Sequence, residues 1–214
     1  MYIECRNLGK RIKDAQILST INMRLESGKV YGLWGKNGCG KTMLMRAMCG
    51  LLHPVEGEVI LDGQVLGKDV EMPISVGLLL ENPAFLHRYT GYENLRMLAS
   101  IKGLISEEQV RNTMRRVGLD PNDKRKYYKY SMGMKQRLGI ACAIMEEPEM
   151  ILLDEPVNAL DVDGVKNIRA ILSEEKERGA LIVVACHDKE EMSILADQVI
   201  VMKQGTIADI VTRI

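Results

Sequence analysis

Residues Tyr130–Asp161 read YSMGMKQRLGIACAIMEEPEMILLDEPVNALD. Ser131, then Met132-Gly133-Met134-Lys135-Gln136, has the character of a helix start, with the helix itself expected over Met134–Met145. Met150–Leu153 is an unbroken apolar run, as in a strand covered on both faces. It delivers Asp154-Glu155-Pro156 at its C-terminal end, where open α/β sheets place ligands. The order is helix start, buried strand, then two adjacent carboxylates that must point in different directions.

Upstream, the apolar run Val30–Trp34 feeds Gly35-Lys36-Asn37-Gly38-Cys39-Gly40-Lys41-Thr42. Behind it Met43, Leu44, Ala47, Met48 and Leu51 recur near the helical period, predicting a helix over Lys41–Leu52. Strand, glycine loop and helix in that order form a phosphate cradle. Backbone N–H groups converge on phosphate oxygens, and the helix N-terminus adds roughly half a positive charge. Lys41 is placed to reach the β- and γ-phosphates, and the Thr42 hydroxyl to hold Mg²⁺. Asp154 is the second candidate ligand of that ion. Glu155 is the candidate general base for an attacking water. Cys39 lies inside the loop; packing as a small residue is preferred over service as an activated thiolate.

The rest of the chain alternates strands and helices. Glu58–Leu61 and Gln64–Leu66 flank an Asp62-Gly63 turn, and Ile74–Leu80 reads as a buried strand. From Pro83 to Gly133 the pattern is helical, with a capping box at Ser106-Glu107-Glu108-Gln109 and a stop near Gly118. Helix Val162–Arg178, strand Ala180–Ala185, a short helix at Lys189–Leu195, strand Gln198–Met202 and a last strand after Gly205 complete it. Strand–helix alternation predicts an α/β fold with a mainly parallel sheet and helices on both faces. The opening short runs read as an antiparallel β layer. Residues 1–82 and 134–214 form the expected core of one domain, and 83–133 a helical insert.

The 214 residues suffice for one domain with a full core. Lys plus Arg (29) equals Asp plus Glu (29), without the basic excess of a nucleic-acid binder. No apolar run approaches the roughly 20 residues that span a bilayer, and MYIECRNLGKR has no apolar signal segment. A cytosolic protein with reduced thiols is expected. The five scattered cysteines include no Cys-x-x-Cys pair, which argues against a disulfide framework or a zinc site. Fourteen Met against one Phe and one Trp predict a core filled by thioethers.

Together these pieces resemble the nucleotide-binding subunits of ATP-binding cassette (ABC) transporters over nearly the whole chain. The resemblance implies a P-loop ATPase of ABC type that hydrolyses MgATP. In it Gly35–Met43 hold ATP, Glu155 activates water, His187 of Cys186-His187-Asp188 contacts the γ-phosphate and orients that base, and Lys41 clamps the phosphates. Ser131, Met132, Gly133 and Met134 stand where the family has its Leu-Ser-Gly-Gly-Gln segment, which receives ATP held by a second subunit in a head-to-tail dimer. Asn158 and Asp161 match the segment crossing that interface. His53 and His87 read as ordinary surface residues.

Three positions depart from the family. Met43 replaces a second Ser or Thr, and Ile12 takes the place of an aromatic that stacks adenine. Glu81 replaces a glutamine that touches Mg²⁺ and the attacking water. A similar glutamate occurs in ATPases serving bacitracin and lantibiotic exporters, and a role for Glu81 in metal binding and catalysis follows from it. The implied partners are a second ATPase subunit and a membrane permease, docked near Phe85, Leu86 and Tyr89, which would hold the protein at the inner face of the membrane. Import, or a soluble ABC ATPase acting in translation or DNA metabolism, are the alternative readings; no paired cassette, coiled-coil insertion or basic extension accompanies them.

Overall fold

The computed structural model describes residues 1–73, 75–81 and 83–212. Its centre is a six-stranded sheet. From one edge it runs β10 (Thr206–Thr212), β9 (Gln198–Lys203), β3 (Lys29–Trp34), β8 (Leu181–Cys186), β7 (Met150–Asp154) and β6 (Val76–Leu79). All neighbours are parallel except β10, which returns antiparallel beside β9. A second sheet, ordered β2 (Ala15–Glu26), β1 (Tyr2–Ile12), β4 (Glu56–Leu61) and β5 (Gln64–Val65), is antiparallel throughout.

The period of two along each strand explains the layers. On β8, Leu181, Val183 and Ala185 enter one core, while Ile182, Val184 and Cys186 enter the other. On β7, Met150 and Leu152 join the first set, and Ile151 and Leu153 the second. The first core also takes in β1, β2 and α1 (Lys41–Met48). The second takes in α4 (Met132–Ile144), α5 (Val162–Glu177) and α6 (Lys189–Leu195), with α2 (Gly91–Lys102) and α3 (Glu107–Arg116) at its far end. A strand packed on both faces cannot alternate polar with apolar, which is why these runs are continuously hydrophobic. Met45, Met48, Met114, Met150, Met192 and Met202 are all buried, as the composition predicts.

Several boundaries differ from expectation. The helix α1 stops at Met48: the chain turns at Cys49-Gly50, where the Gly50 amide donates to Ala47 O (3.2 Å), and Leu51 faces solvent. Helix α4 begins at Met132, because Ser131 caps it directly and accepts a hydrogen bond from the Met134 amide. The strands β1 and β2 are longer than the short runs expected, 11 and 12 residues, and absorb register shifts after Cys5 and Leu8. The capping box at Ser106 is present in both directions, and a second one at Thr90–Glu93 opens α2. The Asp62-Gly63 turn joins β4 to β5, and Lys189–Leu195 is helical. Ile74, the first residue of the expected strand before Glu81, lies outside the described residues. Among the described residues no helix is long and apolar enough to cross a membrane.

Candidate active site

Parallel registration sets the site. Trp34 pairs with Cys186, and Asp154 with Ala185, so β3, β7 and β8 end on one edge and their following loops meet there. After β3 the chain makes the glycine loop. Gly40 is the cap residue of α1 with φ 108°, a left-handed conformation that a side chain would strain. A Cβ there would also stand 3.1 Å from Ile17 O. The loop is fastened from behind: Gly205 donates to Cys39 O (2.9 Å) and accepts from the Ser19 amide (2.8 Å).

Lys41 is buried, and its ammonium donates to Gly35 O (2.8 Å) inside the loop. The Thr42 hydroxyl donates to Asp154 Oδ2. Asp154 continues the Met150, Leu152 face of β7, which is the α1 side, and so meets Thr42. Burial holds its carboxyl above the ordinary 3.8; the Thr42 bond and Lys41 oppose that, while the Glu155 and Glu81 charges add to it. A cleft of about 460 Å³ opens here, lined among others by Ile17, Asn37, Lys41, Thr42, Asp154 and Glu155. Met43 also faces it. Its apolar wall is Ile17; Ile12 stands exposed at the end of β1. Cys39 packs into the core beneath the loop.

Glu155 leaves the strand with φ 49°, left-handed for a residue with a Cβ, and its amide is fixed by Ala185 O (2.8 Å). Such strain persists only where surrounding contacts enforce it. The turn throws the side chain away from Asp154, toward β8. There His187 Nδ1 donates to Glu155 Oε1 at 2.9 Å. Trp34 Nε1 in turn donates to His187 O (3.1 Å), tying the histidine backbone to the end of β3. Glu155 Oε2 is buried without a hydrogen-bond partner among the described residues. The thiol of Cys186 faces this carboxylate; burial first, then the Glu155 charge, push it up to about 11.

Glu81 is placed differently from a metal ligand at rest. It also has a left-handed φ, 62°, and its carboxylate accepts from Arg46 Nη2 at 2.7 Å, on an exposed face. It is still near enough for its charge to raise Asp154.

A second cleft, of about 550 Å³, surrounds the start of α4 and is lined by Ser131–Met134, Arg137, Ala159 and Asp161 among others. Gly133 is required by contact: a Cβ would lie 2.8 Å from Ala159 O. Asp161 caps α5 by accepting from Gly164 N (3.0 Å) and pairs with Arg137 (2.9 Å). Asn158 is exposed on the intervening turn.

The family is decided at this point by similarity along the chain. The ABC transporter family profile matches residues 18–158. The chain is 45% identical over 205 residues to an uncharacterized ABC transporter ATP-binding protein, YybJ of Bacillus subtilis strain 168, covering 96% of this chain and 94% of that one. It is 41% identical over 209 residues to the bacitracin transport ATP-binding protein BcrA of Enterococcus faecalis, covering 97% of this chain and 68% of the relative. The chain belongs to the ABC transporter family. It is an ATP-binding and ATP-hydrolysing subunit of that family. Its fold matches the dimeric post-hydrolysis structure of the cassette MJ0796 bound to ADP and phosphate, with TM-score 0.88 at 21% identity over 99% of each chain.

Three partners in this ABC subunit escaped the sequence reading. Gln136 Nε2 donates to Glu155 O (2.9 Å), linking α4 to the strand end that carries the carboxylates. Arg137 spans Val117 O (3.0 Å) and Asp161. Arg46 holds Glu81. The first two sit in the quoted segment, one turn past Gly133, so their position on the helix was available; their targets are set by how α4 packs. Of the expected docking residues, Leu86 and Tyr89 are exposed, whereas Phe85 is partly buried and packs edge-on against Tyr127 (5.4 Å between ring centres) at the margin of the core.

Proposed function

We propose that the chain is the MgATP-hydrolysing subunit of an exporter, acting as a head-to-tail pair beneath a separate membrane permease. The observation that carries the catalytic reading is Glu155, whose carboxylate is held by His187 at 2.9 Å and which is among the residues lining the same cleft as Lys41 and Thr42. Glu155 accepts the proton of the attacking water. His187 orients that carboxylate and meets the γ-phosphate. Lys41 moves from Gly35 O to the β- and γ-phosphates, and the loop amides of Gly35–Met43 receive the remaining oxygens.

Thr42 and Asp154 suit Mg²⁺, a hard ion that takes oxygen donors, and the hydrogen bond between them, which brings the two oxygens together beside the loop, supports this. When bound, Mg²⁺ supplies charge neutralisation of the phosphates. Glu81 would join them once released from Arg46. Ser131, Gly133 and the amides at the start of α4 contact the ATP of the second subunit, with Asn158 and Asp161 across the interface; the exposed cleft around them supports this. Ile12 and Ile17 give adenine an aliphatic contact. Export rather than import rests on the likeness to BcrA over 97% of this chain. Leu86 and Tyr89, exposed beside α2, are the proposed permease contacts.

Glu155→Gln tests the reading. Loss of a general base costs about 10²- to 10⁴-fold in turnover, while ATP binding persists and ATP-bound dimer accumulates in size-exclusion chromatography. Undiminished turnover would remove Glu155 from the chemistry, and a chain that stays monomeric with ATP would remove the head-to-tail pair.

A further inference from the structure

Glu155, Cys186 and His187 offer one carboxylate oxygen, one sulfur and one imidazole nitrogen, all within 4.8 Å of one another. We propose that these three side chains form a binding site for a thiophilic divalent ion, Zn²⁺ foremost, and that its occupation arrests ATP hydrolysis.

The donor set is the argument. Sulfur, nitrogen and oxygen from three side chains, with a fourth position open, is how proteins hold zinc at about 2.0–2.3 Å in a tetrahedron. Ligand atoms of such a tetrahedron lie roughly 3.3–3.8 Å apart. The three ligand atoms, none more than 4.8 Å from another, reach that spacing by closing at most about 1.5 Å, while the His187–Glu155 pair, at 2.9 Å, opens slightly. The histidine ring allows this, because its side chain is 57% exposed while its backbone is tied to Trp34. Glu155 Oε2 is buried and accepts no hydrogen bond of ordinary geometry among the described residues, so this carboxylate keeps an unused lone pair beside the thiol it faces. The Asp188 amide donates to Cys186 Sγ (3.4 Å), which would support a metal-bound thiolate, as outer hydrogen bonds do. Binding expels the thiol proton to solvent.

This site is distinct in chemistry from the oxygen pair Thr42–Asp154. A hard ion selects the oxygens, and a borderline-soft one the thiol and imidazole. The spacing of the cysteines argued against zinc because it counts ligands along the chain. Here they come from the ends of β7 and β8, which are neighbours only in the sheet.

Inhibition rests on the proposed roles of Glu155 and His187: a metal-held carboxylate cannot accept a proton from water. The site itself does not rest on them, and the experiment separates the two. Tag-free full-length protein is titrated with Co²⁺ and with Zn²⁺. One ion per chain is expected, with a thiolate-to-cobalt charge-transfer band that zinc displaces. The band should vanish in Cys186→Ser and in Cys186→Val, the latter suited to a buried strand end, and survive in Cys142→Ser. In excess Mg²⁺ and ATP, zinc should suppress turnover reversibly with EDTA, at a concentration raised at least tenfold by either Cys186 substitution. Absence of the band in the parent protein, or its persistence in both variants, overturns the site. A band with zinc-insensitive hydrolysis overturns the inhibitory role. A band in a protein without ATPase activity upholds the site and overturns the catalytic reading instead.

Discussion

The two clefts of this subunit both sit at a helix start, yet they differ in how their polar groups are satisfied. The cleft at Lys41, Thr42 and Asp154 is assembled from the glycine loop, the first turn of α1 and the end of β7; Lys41 and Asp154 are buried, and each of these three polar groups is partnered within the chain. The cleft at Ser131–Met134 is assembled from a helix start and a turn, and its surface is exposed. The first can hold charge that the fold alone would disfavour. The second offers backbone donors that need a partner from outside. Gln136 links them from α4 to the backbone of Glu155, whose carbonyl also accepts from the Asn158 amide (3.2 Å).

The largest way to break this contrast is Gly133→Val. Its side chain collides with Ala159 O and covers the amides at the start of α4. ATP binding to the isolated subunit should be unchanged, as measured by equilibrium binding, while hydrolysis falls by roughly two orders of magnitude, the scale of lost electrostatic stabilisation at a phosphoryl-transfer site. Equal losses in binding would mean that the second cleft serves its own chain.

Asp154→Asn sharpens the other side. Burial raises the carboxyl above 3.8, so the folded protein keeps this proton over a window in which the unfolded chain has lost it. Stability therefore declines as pH rises through that window, and the charged form weighs against folding at neutral pH. The amide should raise the melting temperature without nucleotide by about 2–4 °C, equivalent to ~1 kcal/mol, and should abolish metal-dependent turnover. A melting temperature that falls would show that the Thr42 bond outweighs burial.

The smallest effect is expected at Arg46→Ala. The Arg46–Glu81 pair is exposed, and such pairs contribute under about 1 kcal/mol, so stability should hold. The freed Glu81 should shift the Mg²⁺ and Mn²⁺ dependence of turnover, and Glu81→Gln should shift it in the opposite sense. Identical titrations for all three proteins would leave Glu81 without a metal role.

Much of this was legible along the chain because it depends on local chemistry. A glycine loop between an apolar strand and a helix, a serine ahead of a helix, and carboxylates after a buried run are each written in consecutive residues. Ile17 was not legible as a cleft wall, since it reaches the site by the packing of β2 under the loop. Nor was the exact end of α1, which is decided by one turn at Cys49-Gly50.

The sequence by itself determined the element order, the phosphate loop and the carboxylate pair, because period and spacing act over a few residues at a time, and its motifs carried the family resemblance. Only the tertiary structure decided which groups face one another. Glu155 meets Cys186 as well as the expected His187, Glu81 meets Arg46, and Gln136 meets the β7 end, through strands and helices far apart in the chain. Parallel registration brings strand ends to one edge whatever their separation in sequence, so partners across that edge leave no signal in any local window.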